Sequence, residues 1–411
     1  MLSTPSPTPL PSPTQPQGLK IHQCQDEEAA DLFYSWATRV GWNPGQKAGI
    51  RDVLLKTDPH GYFYGKVEPS FVIPDPPTST STSTTSITSE PKGQRQEQDQ
   101  DQEQELRVRR EEVWGKGRGR ELVEDPTVIS VISAIRFGDD QAWIGCYITD
   151  PKYRGRGYGV STFNRALEHV CTSSNNSLTT RKSIGLNAVF SQVENYRKSG
   201  FTKASWVNER RRGSIRDLVE VQEPSLAGRI ARGDDFGEDG GLLVLLSDER
   251  VDWDQLPGIE KQYTGFNRPG FVKDWIRFHA EHPEDHRVGV AVLSTQETDP
   301  VSGKPLVLGY GCVRPGFTSY RAGPLYARDA STAKKLLVKL AVEVLAADKK
   351  DPLVDVPLIF DIDIPDQNKA SVEMFDGIGW MNTMSTQRLW RGDVPPYDAS
   401  GCFGISLLEV G

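Results

Sequence analysis

Residues 147–160 read Tyr-Ile-Thr-Asp-Pro-Lys-Tyr-Arg-Gly-Arg-Gly-Tyr-Gly-Val, a predicted strand that runs into a glycine-rich turn and then directly into a predicted helix. Glycines at a helix N-terminus let backbone N–H groups approach an anion closely, and the helix dipole favours negative charge there. Arg154 and Arg156 add charges that can pair with phosphate oxygens. The pattern therefore predicts a diphosphate cradle; the alternative is an ordinary turn with incidental glycines.

Two common phosphate-binding patterns do not fit this turn. A P-loop would continue as Gly-Lys-Ser/Thr, which is missing here. The glycine spacing also differs from the dinucleotide fingerprint, and no acidic residue ends a suitable next strand. Residues 150–159 instead resemble the Arg/Gln-x-x-Gly-x-Gly motif of the GCN5-related N-acetyltransferases, the GNAT superfamily.

A second motif lies downstream at the distance that this family shows. Residues 195–201 read Asn-Tyr-Arg-Lys-Ser-Gly-Phe and are similar to its Tyr-x-x-x-Gly-Phe signature. Residues 36–45 resemble a tandem-GNAT subgroup, and residues 309–316 and 320–327 fit its diverged second copy. The resemblance implies an α/β (α+β) fold of two GNAT-like domains. Each would be a mostly antiparallel mixed sheet with a splayed pair of parallel strands, flanked by helices.

The resemblance also implies where the cosubstrate acetyl-CoA binds. Its pantetheine arm would lie along Tyr147, Ile148 and Thr149, and N–H groups near Tyr147 and Ile148 would stabilise the oxyanion. Its diphosphate would rest on the amides of the turn. The residues implied there are Arg154, Gly155, Arg156, Gly157, Tyr158, Gly159 and Val160.

Tyr196 occupies the position of the family's general acid. A phenol placed there can give its proton to the leaving thiolate, whereas the alternative is that Tyr196 only packs. Something must also remove a proton from the attacking amine. For that role the sequence offers Asp150, Glu68 and Glu194, by residue type alone.

The sequence departs from the family pattern in both halves. Many members carry Asn seven positions before the tyrosine, where this chain has Val189. The second half has Asn368 at the matching place but Phe375 instead of the tyrosine, and Gly323-Pro-Leu instead of the cradle. Since phenylalanine cannot donate a proton, we expect the second half to be non-catalytic. It would close over the amine, contribute to a homodimer, or support the first domain.

Composition and periodicity divide the chain into four parts. Residues 1–18 are rich in Pro, Ser and Thr and predict a disordered tail. Residues 19–222 would form the catalytic domain, interrupted by a polar insertion at about 75–124 that we also expect to be disordered. A linker is predicted at 223–240, followed by a degenerate copy over 241–411. Ser70–Ile73 is predicted as a strand.

Charge and cysteine content exclude several classes of protein. A net charge of −8 over 411 residues argues against nucleic acid as a partner. Five scattered cysteines predict reduced thiols, a cytoplasmic or nuclear location, and no zinc site. The neighbours of His279, His282 and His286 indicate a solvated helix end rather than a metal site. No apolar run approaches the roughly 18 residues of a membrane helix, and the N-terminus shows no secretory signal.

The sequence therefore predicts an acetyl-CoA-dependent N-acetyltransferase acting on a primary amine without a metal. The alternative is a CoA-binding scaffold or regulatory protein with little turnover, which Val189 and the missing base motivate. The acceptor stays open between a small amine and a protein lysine or N-terminus. We expect no membrane partner.

Overall fold

The computed structural model describes residues 15–24, 26–74, 125–172, 182–233, 241–281, 285–350 and 356–411. Residues 1–14 of the predicted tail and the whole predicted insertion lie outside these ranges. Residues 15–18, also assigned to the disordered tail, are instead part of the described structure, since the Leu19 N–H donates to the Pro16 carbonyl at 3.2 Å.

Within the described residues, thirteen strands form one continuous sheet. In sheet order the first twelve are β1-β2-β3-β4-β5-β12-β6-β11-β10-β9-β8-β7, and β13 pairs with β10. Their bounds are β1 (Leu19–Gln23), β2 (Tyr62–Val67), β3 (Val128–Phe137), β4 (Gln141–Thr149), β5 (Ser183–Val189), β6 (Lys203–Ser214), β7 (Leu242–Leu245), β8 (Val288–Thr298), β9 (Pro305–Pro315), β10 (Tyr320–Ala327), β11 (Ile359–Pro365), β12 (Met381–Gly392) and β13 (Cys402–Gly404).

Helices pack on both faces of this sheet. Those of six or more residues in the described ranges are α1 (Asp26–Arg39), α2 (Tyr158–Cys171), α3 (Val193–Lys198), α4 (Pro224–Arg232), α5 (Leu256–Thr264), α6 (Pro269–Ala280), α7 (Ala330–Lys350) and α8 (Lys369–Gly377). Three short helical turns follow α1: Lys47–Gly49, Ile50–Leu54 and Leu55–Thr57. In the part of the chain that the structure describes, no helix combines the length and apolar character needed to cross a bilayer.

Two predicted elements differ from the structure. Ser70–Ile73 is not a strand, because a 3₁₀ turn forms at Pro69–Phe71 and the N–H of Ile73 donates to the Tyr153 hydroxyl at 2.8 Å. Residues 224–232 of the predicted linker form α4, whose Ala227 and Ile230 are buried. These two residues lie three apart on one helix face, so their burial against α7 stabilises a helix in a segment with a polar average composition.

The expectation of a solvated helix end around His279 and His286 is also wrong. His279 and His286 are almost fully buried rather than solvated. The Nδ1 atom of His279 lies 2.8 Å from the Trp275 carbonyl oxygen, and that of His286 lies 3.1 Å from the Tyr320 hydroxyl. His282 lies outside the described residues, among which no group of His, Cys, Asp and Glu side chains is arranged to hold a metal ion.

The two halves of the sheet exchange strands at its centre. β12 comes from the second half of the sequence, yet it lies between β5 and β6 and pairs antiparallel with both. β6 in turn pairs with β11 over Ile359–Pro365. The first half of the sequence therefore does not supply all the strands around β5, because the neighbour of β5 on this side is β12.

Candidate functional site

The parallel strands β4 and β5 start together and then separate. They pair from Gln141 with Ser183 as far as Ile144 with Leu186. Beyond that point β4 continues to Thr149, while β5 keeps its antiparallel pairing with β12 as far as Val189. The separation exposes one backbone edge of β4, which is where an extended ligand could add hydrogen bonds.

A β-bulge lies where β4 leaves β5. Ser133 of β3 pairs with Gly145 and Val131 pairs with Ile148, so Ile132 faces both Cys146 and Tyr147. Cys146 has φ +45°, an uncommon conformation for a residue with a side chain. A bulge interrupts the ladder and re-aims neighbouring groups, so it supplies unpaired backbone amides at the point of separation.

Two adjacent side chains at the bulge, Cys146 and Tyr147, lie on opposite faces of the sheet. The Tyr147 ring lies 5.4 Å from the Phe163 ring of α2. Cys146 lines a cavity on the other face, beneath α1. A group passing between β4 and β5 at this point would therefore connect the α2 face with that cavity.

The glycine-rich turn is held open at the N-terminus of α2. Asp150 accepts a hydrogen bond from the Lys152 N–H at 3.0 Å, and the Arg154 Nε donates to the Thr149 carbonyl at 2.9 Å. Gly155 and Gly157 have φ values of +73° and +87°, which side chains rarely tolerate. All four residues from 154 to 157 are exposed.

The first turn of α2 presents backbone donors to solvent. Its first helical hydrogen bond runs from the Ser161 N–H to the Gly157 carbonyl at 3.0 Å. The N–H groups of residues 158–160 precede this bond and have no carbonyl one turn before them in the helix. With the positive end of the helix dipole, they form an anion-binding surface of the kind the sequence predicts.

Gly159 brings α2 close to β4. A Cβ atom built on Gly159 would lie 2.5 Å from Thr149 Oγ1 and 2.6 Å from the Tyr147 hydroxyl. Thr149 Oγ1 is buried beside the Tyr147 hydroxyl. The glycine at 159 thus serves close packing, whereas those at 155 and 157 serve the turn.

Tyr196 joins the same group of aromatic residues. Its ring lies 6.5 Å from Tyr147, 5.8 Å from Phe163 and 6.4 Å from Phe201. Burial, with a smaller contribution from Tyr147, raises the pKa of Tyr196 above the ordinary value of a phenol. The hydroxyl therefore stays protonated at neutral pH and retains a proton to donate. α3 ends at Lys198, and Gly200, two residues later, has φ +89° in the left-handed region.

The structure brings together Tyr147, Ile148, Thr149, the turn at 154–160 and Tyr196, but not the acidic residues proposed as bases. Asp150 caps the turn after β4. Glu68 and Glu194 are exposed and form ion pairs with Lys20 and Arg197. Their roles are local, so nothing in the structure supports any of the three as a base.

An acidic residue that sequence reasoning missed lies beside the bulge. Glu409 belongs to the C-terminal segment, and a Cβ atom built on Gly145 would overlap its carbonyl oxygen. The local sequence around Glu409 contains no motif. Gly145 could have indicated this contact, because a glycine inside a strand often marks the close approach of another backbone.

Comparisons with known proteins concern the family and the fold of the chain. Residues 258–404 match the family described as "Acetyltransferase (GNAT) domain", and residues 84–180 match the one described as "Acetyltransferase (GNAT) family". The holothin acyltransferase of Pseudoalteromonas sp. (strain SANK 73390) is 24% identical over 289 residues, which cover 70% of this chain and 79% of the relative. A Pyrococcus horikoshii protein assigned provisionally as an acetyltransferase has the same fold. The match between its crystal structure and this chain has a TM-score of 0.57 at 15% sequence identity. It covers 98% of this chain and 99% of the Pyrococcus chain.

Proposed function

This chain belongs to the GNAT superfamily as a tandem protein, and from that premise we propose that its N-terminal half transfers an acetyl group from acetyl-CoA to a primary amine. The observation that carries the proposal is the exposed glycine turn at the start of α2, next to the β4 edge that separates from β5. The Pseudoalteromonas relative is by name an acyltransferase, which supports acyl transfer as the reaction class.

The cosubstrate would lie across the splayed strands. Its diphosphate accepts hydrogen bonds from the amides of residues 154–160, and Arg154 and Arg156 supply positive charge. Its pantetheine arm runs along Tyr147–Thr149 and pairs with the free edge of β4. This places the thioester near the bulge, where the N–H groups of Tyr147 and Ile148 would stabilise the oxyanion.

Tyr196 would act as the general acid. When the amine nitrogen attacks the thioester carbon, a C–N bond forms and the C–S bond later breaks. The Tyr196 hydroxyl then gives its proton to the departing sulfur. Burial raises the pKa of Tyr196, so the hydroxyl carries its proton at neutral pH when the sulfur departs.

Calorimetry with acetyl-CoA and a free-thiol assay with a panel of amines test the proposal. We expect saturable binding and thiol release well above hydrolysis without an amine. Absence of binding would overturn the proposal. Binding without amine-dependent release would favour a scaffold or regulatory protein. A parallel assay with a CoA thioester of a longer acyl group tests which acyl group the protein transfers. Faster turnover of that thioester would mean that acetyl is not the preferred group.

A further inference from the structure

A cavity lies on the face of the sheet opposite α2, covered by α1 and the three helical turns that follow it. It is open on one side, and about 50 Å³ of it is accessible to the centre of a water molecule, so only a compact group fits inside. Most of its lining is apolar or aromatic. The side chains that define it are Phe33, Ala37, Ile50, Leu54, Tyr62, Trp275 and Leu407, with Ser133 and Cys146 on the floor and Gln46, Arg314 and Glu409 as polar members.

The cavity meets the splayed strands at the bulge. Cys146 is the bulged residue with φ +45°, and Ser133 pairs with the preceding Gly145. Tyr147, the next residue, lies on the α2 face beside Tyr196. The cavity and the proposed thioester position are therefore on the two sides of the same opening between β4 and β5.

Glu409 is fixed at this opening by its neighbours in the C-terminal segment. The Leu408 carbonyl accepts hydrogen bonds from the Asn187 side chain at 2.9 Å and from Trp143 Nε1 at 3.3 Å. Arg268 donates to the carbonyls of Val410 and Gly411, and it is itself paired with the buried Glu260 at 2.8 Å. These anchors on both sides of Glu409 hold its backbone against β4.

The Glu409 carboxylate has a buried oxygen that nothing in the described structure satisfies. Its Oε2 atom has no hydrogen-bond partner among the described residues. Leaving such an oxygen unpaired costs free energy, which a ligand donor can recover. Gln46 Oε1 is a second buried acceptor without a partner in the described structure, in the same cavity. The same cavity also contains two buried donors without a partner in the described structure, Arg314 Nη1 and Trp275 Nε1. The N–H groups of an amine would satisfy the two acceptors.

Arg314 limits what that ligand can be. Its guanidinium lies 4.8 Å from the centre of the Trp275 ring, lines the cavity, and interacts electrostatically with Glu409. Arg321 lies nearby and is paired with Asp363 at 2.6 Å. A buried cation in the wall disfavours a substrate that carries a second positive charge, because that charge would be buried next to it.

We propose that this cavity binds the acceptor as a compact primary amine with an apolar body and a single positive charge, and that Glu409 receives the proton of its ammonium group. The inference rests on the proposed function and names the substrate class and the base for that site. A primary alkyl ammonium, with a pKa of about 10, is almost entirely protonated at neutral pH. A positioned carboxylate can remove one of its protons and so produce the free amine that attacks.

The protons balance over the whole reaction. R–NH₃⁺ gives one proton to Glu409, and the free amine attacks the thioester carbon. Collapse of the adduct expels the thiolate, which takes the proton of Tyr196. The amide nitrogen releases its second proton, which restores Tyr196 directly or through water, and Glu409 returns its own to solvent. The products are the N-acetyl amine and CoA with a free thiol.

The test compares three acceptors with the full-length protein: phenethylamine, spermidine, and a lysine peptide blocked at its N-terminus. We expect phenethylamine to give the highest kcat/KM, at least about 10-fold above the others. Preference for spermidine or for the peptide would overturn the substrate class while leaving acetyl transfer in place. Absence of turnover with every amine would overturn the proposed function and this inference with it.

Glu409→Gln tests the base with the shape of the side chain preserved. We expect kcat/KM for phenethylamine to fall by about 100-fold at neutral pH, with unchanged affinity for acetyl-CoA by calorimetry. The deficit should shrink at higher pH, and also for an amine that is already neutral at the assay pH, which a purely structural role would not produce. Glu68→Gln, at an exposed ion pair away from the cavity, should behave as the wild type. A uniform loss across pH and amines, or no loss, would remove Glu409 as the base.

Discussion

The two parallel strand pairs of the sheet begin alike and end differently. β10 and β11 pair from Tyr320 with Phe360 to Ala322 with Ile362 and then separate, as β4 and β5 do. In the second half, however, the gap is filled by the chain itself. β13 pairs with β10, and the Ile405 N–H that follows it donates to the Asp363 carbonyl of β11 at 2.9 Å. An extended segment therefore fits such a gap, whereas in the described residues β4 has no backbone partner on its β5 side beyond Ile144.

The helix N-termini beside the two gaps also differ. α2 begins after glycines with exposed amides, whereas α7 begins after Asp329, whose carboxylate accepts from the Thr332 N–H at 2.8 Å. Although burial opposes ionisation of Asp329, hydrogen bonds from Thr332 and the charge of Arg328 lower the pKa of the carboxyl below its ordinary value. A fixed negative charge therefore occupies the place where a diphosphate would have to bind.

The third difference is in the residue proposed as the acid. Phe375 occupies the place of Tyr196, and it is fully buried with its ring 5.3 Å from the ring of Trp380. The second half thus differs at the gap, at the helix and at the acid position. What it contributes to the first half is β12 beside β5 and the C-terminal segment that carries Glu409.

Removing the hydroxyl of Tyr196 should give the largest effect. Tyr196→Phe makes the first half resemble the second at this position, and we expect kcat to fall by about 100-fold, because the thiolate then leaves without a positioned proton donor. Calorimetry should show unchanged affinity for acetyl-CoA, since the ring still packs on Tyr147. Tyr397→Phe, which removes a hydroxyl bonded to Gln367, is the matched control. Normal turnover of Tyr196→Phe would mean that Tyr196 only packs.

The C-terminal segment rests on one glycine in each half, which allows a paired test. A methyl group on Gly145 would overlap the Glu409 carbonyl oxygen, and one on Gly323 would overlap that of Ile405. Each Ala substitution should lower the free energy of unfolding by about 2 kcal/mol, because backbone must move. Gly145→Ala should also lower turnover by about 30-fold, since it displaces Glu409 directly. Gly323→Ala should affect turnover less.

Chemical denaturation and the thiol assay together distinguish these outcomes. Gly258→Ala is the control, because a Cβ atom there meets no heavy atom within 4 Å. Equal turnover of Gly145→Ala and Gly323→Ala, at equal stability, would contradict the special position of Glu409 beside β4.

Reversing a charge in the cradle should have a smaller effect. Arg156 is exposed in the turn before α2, and Arg328 is exposed just before α7. We expect Arg156→Glu to weaken acetyl-CoA binding by about 10-fold, since one charge-assisted hydrogen bond is lost. Arg328→Glu should leave binding unchanged. The measurement is calorimetry at two salt concentrations, and the Arg156 effect should diminish at the higher one. Similar effects of both substitutions would remove the distinction between the two helix N-termini.

Local patterns predicted the first half well. β4, the glycine turn, α2, β5 and α3 follow one another in sequence, so periodicity and turn residues predicted these elements. The resemblance to the GNAT superfamily, and not periodicity, placed Tyr147 and Tyr196 at the same site. The 3₁₀ turn at Pro69 was missed because the apolar pattern of residues 71–73 also suits a strand.

The long-range features could not be predicted in this way. Nothing local indicates that β12 pairs between β5 and β6, or that β13 fills the gap beside β10, since these pairings depend on which edges are free in three dimensions. Glu409 was missed for the same reason. It lies 264 positions after Gly145 in the sequence, and only the folded sheet brings the two together.

The smallest expected effect concerns the cap of α7. Asp329→Ala removes the acceptor of the Thr332 N–H and should cost about 1 kcal/mol of stability, lowering Tm by about 2 °C. It also removes the negative charge that distinguishes this helix N-terminus from that of α2. We nevertheless expect calorimetry to show a single acetyl-CoA site, because β13 still pairs with β10 and Ile405 still bonds β11. A second binding site in Asp329→Ala would mean that the carboxylate alone, and not the filled gap, keeps the second half from binding the cosubstrate.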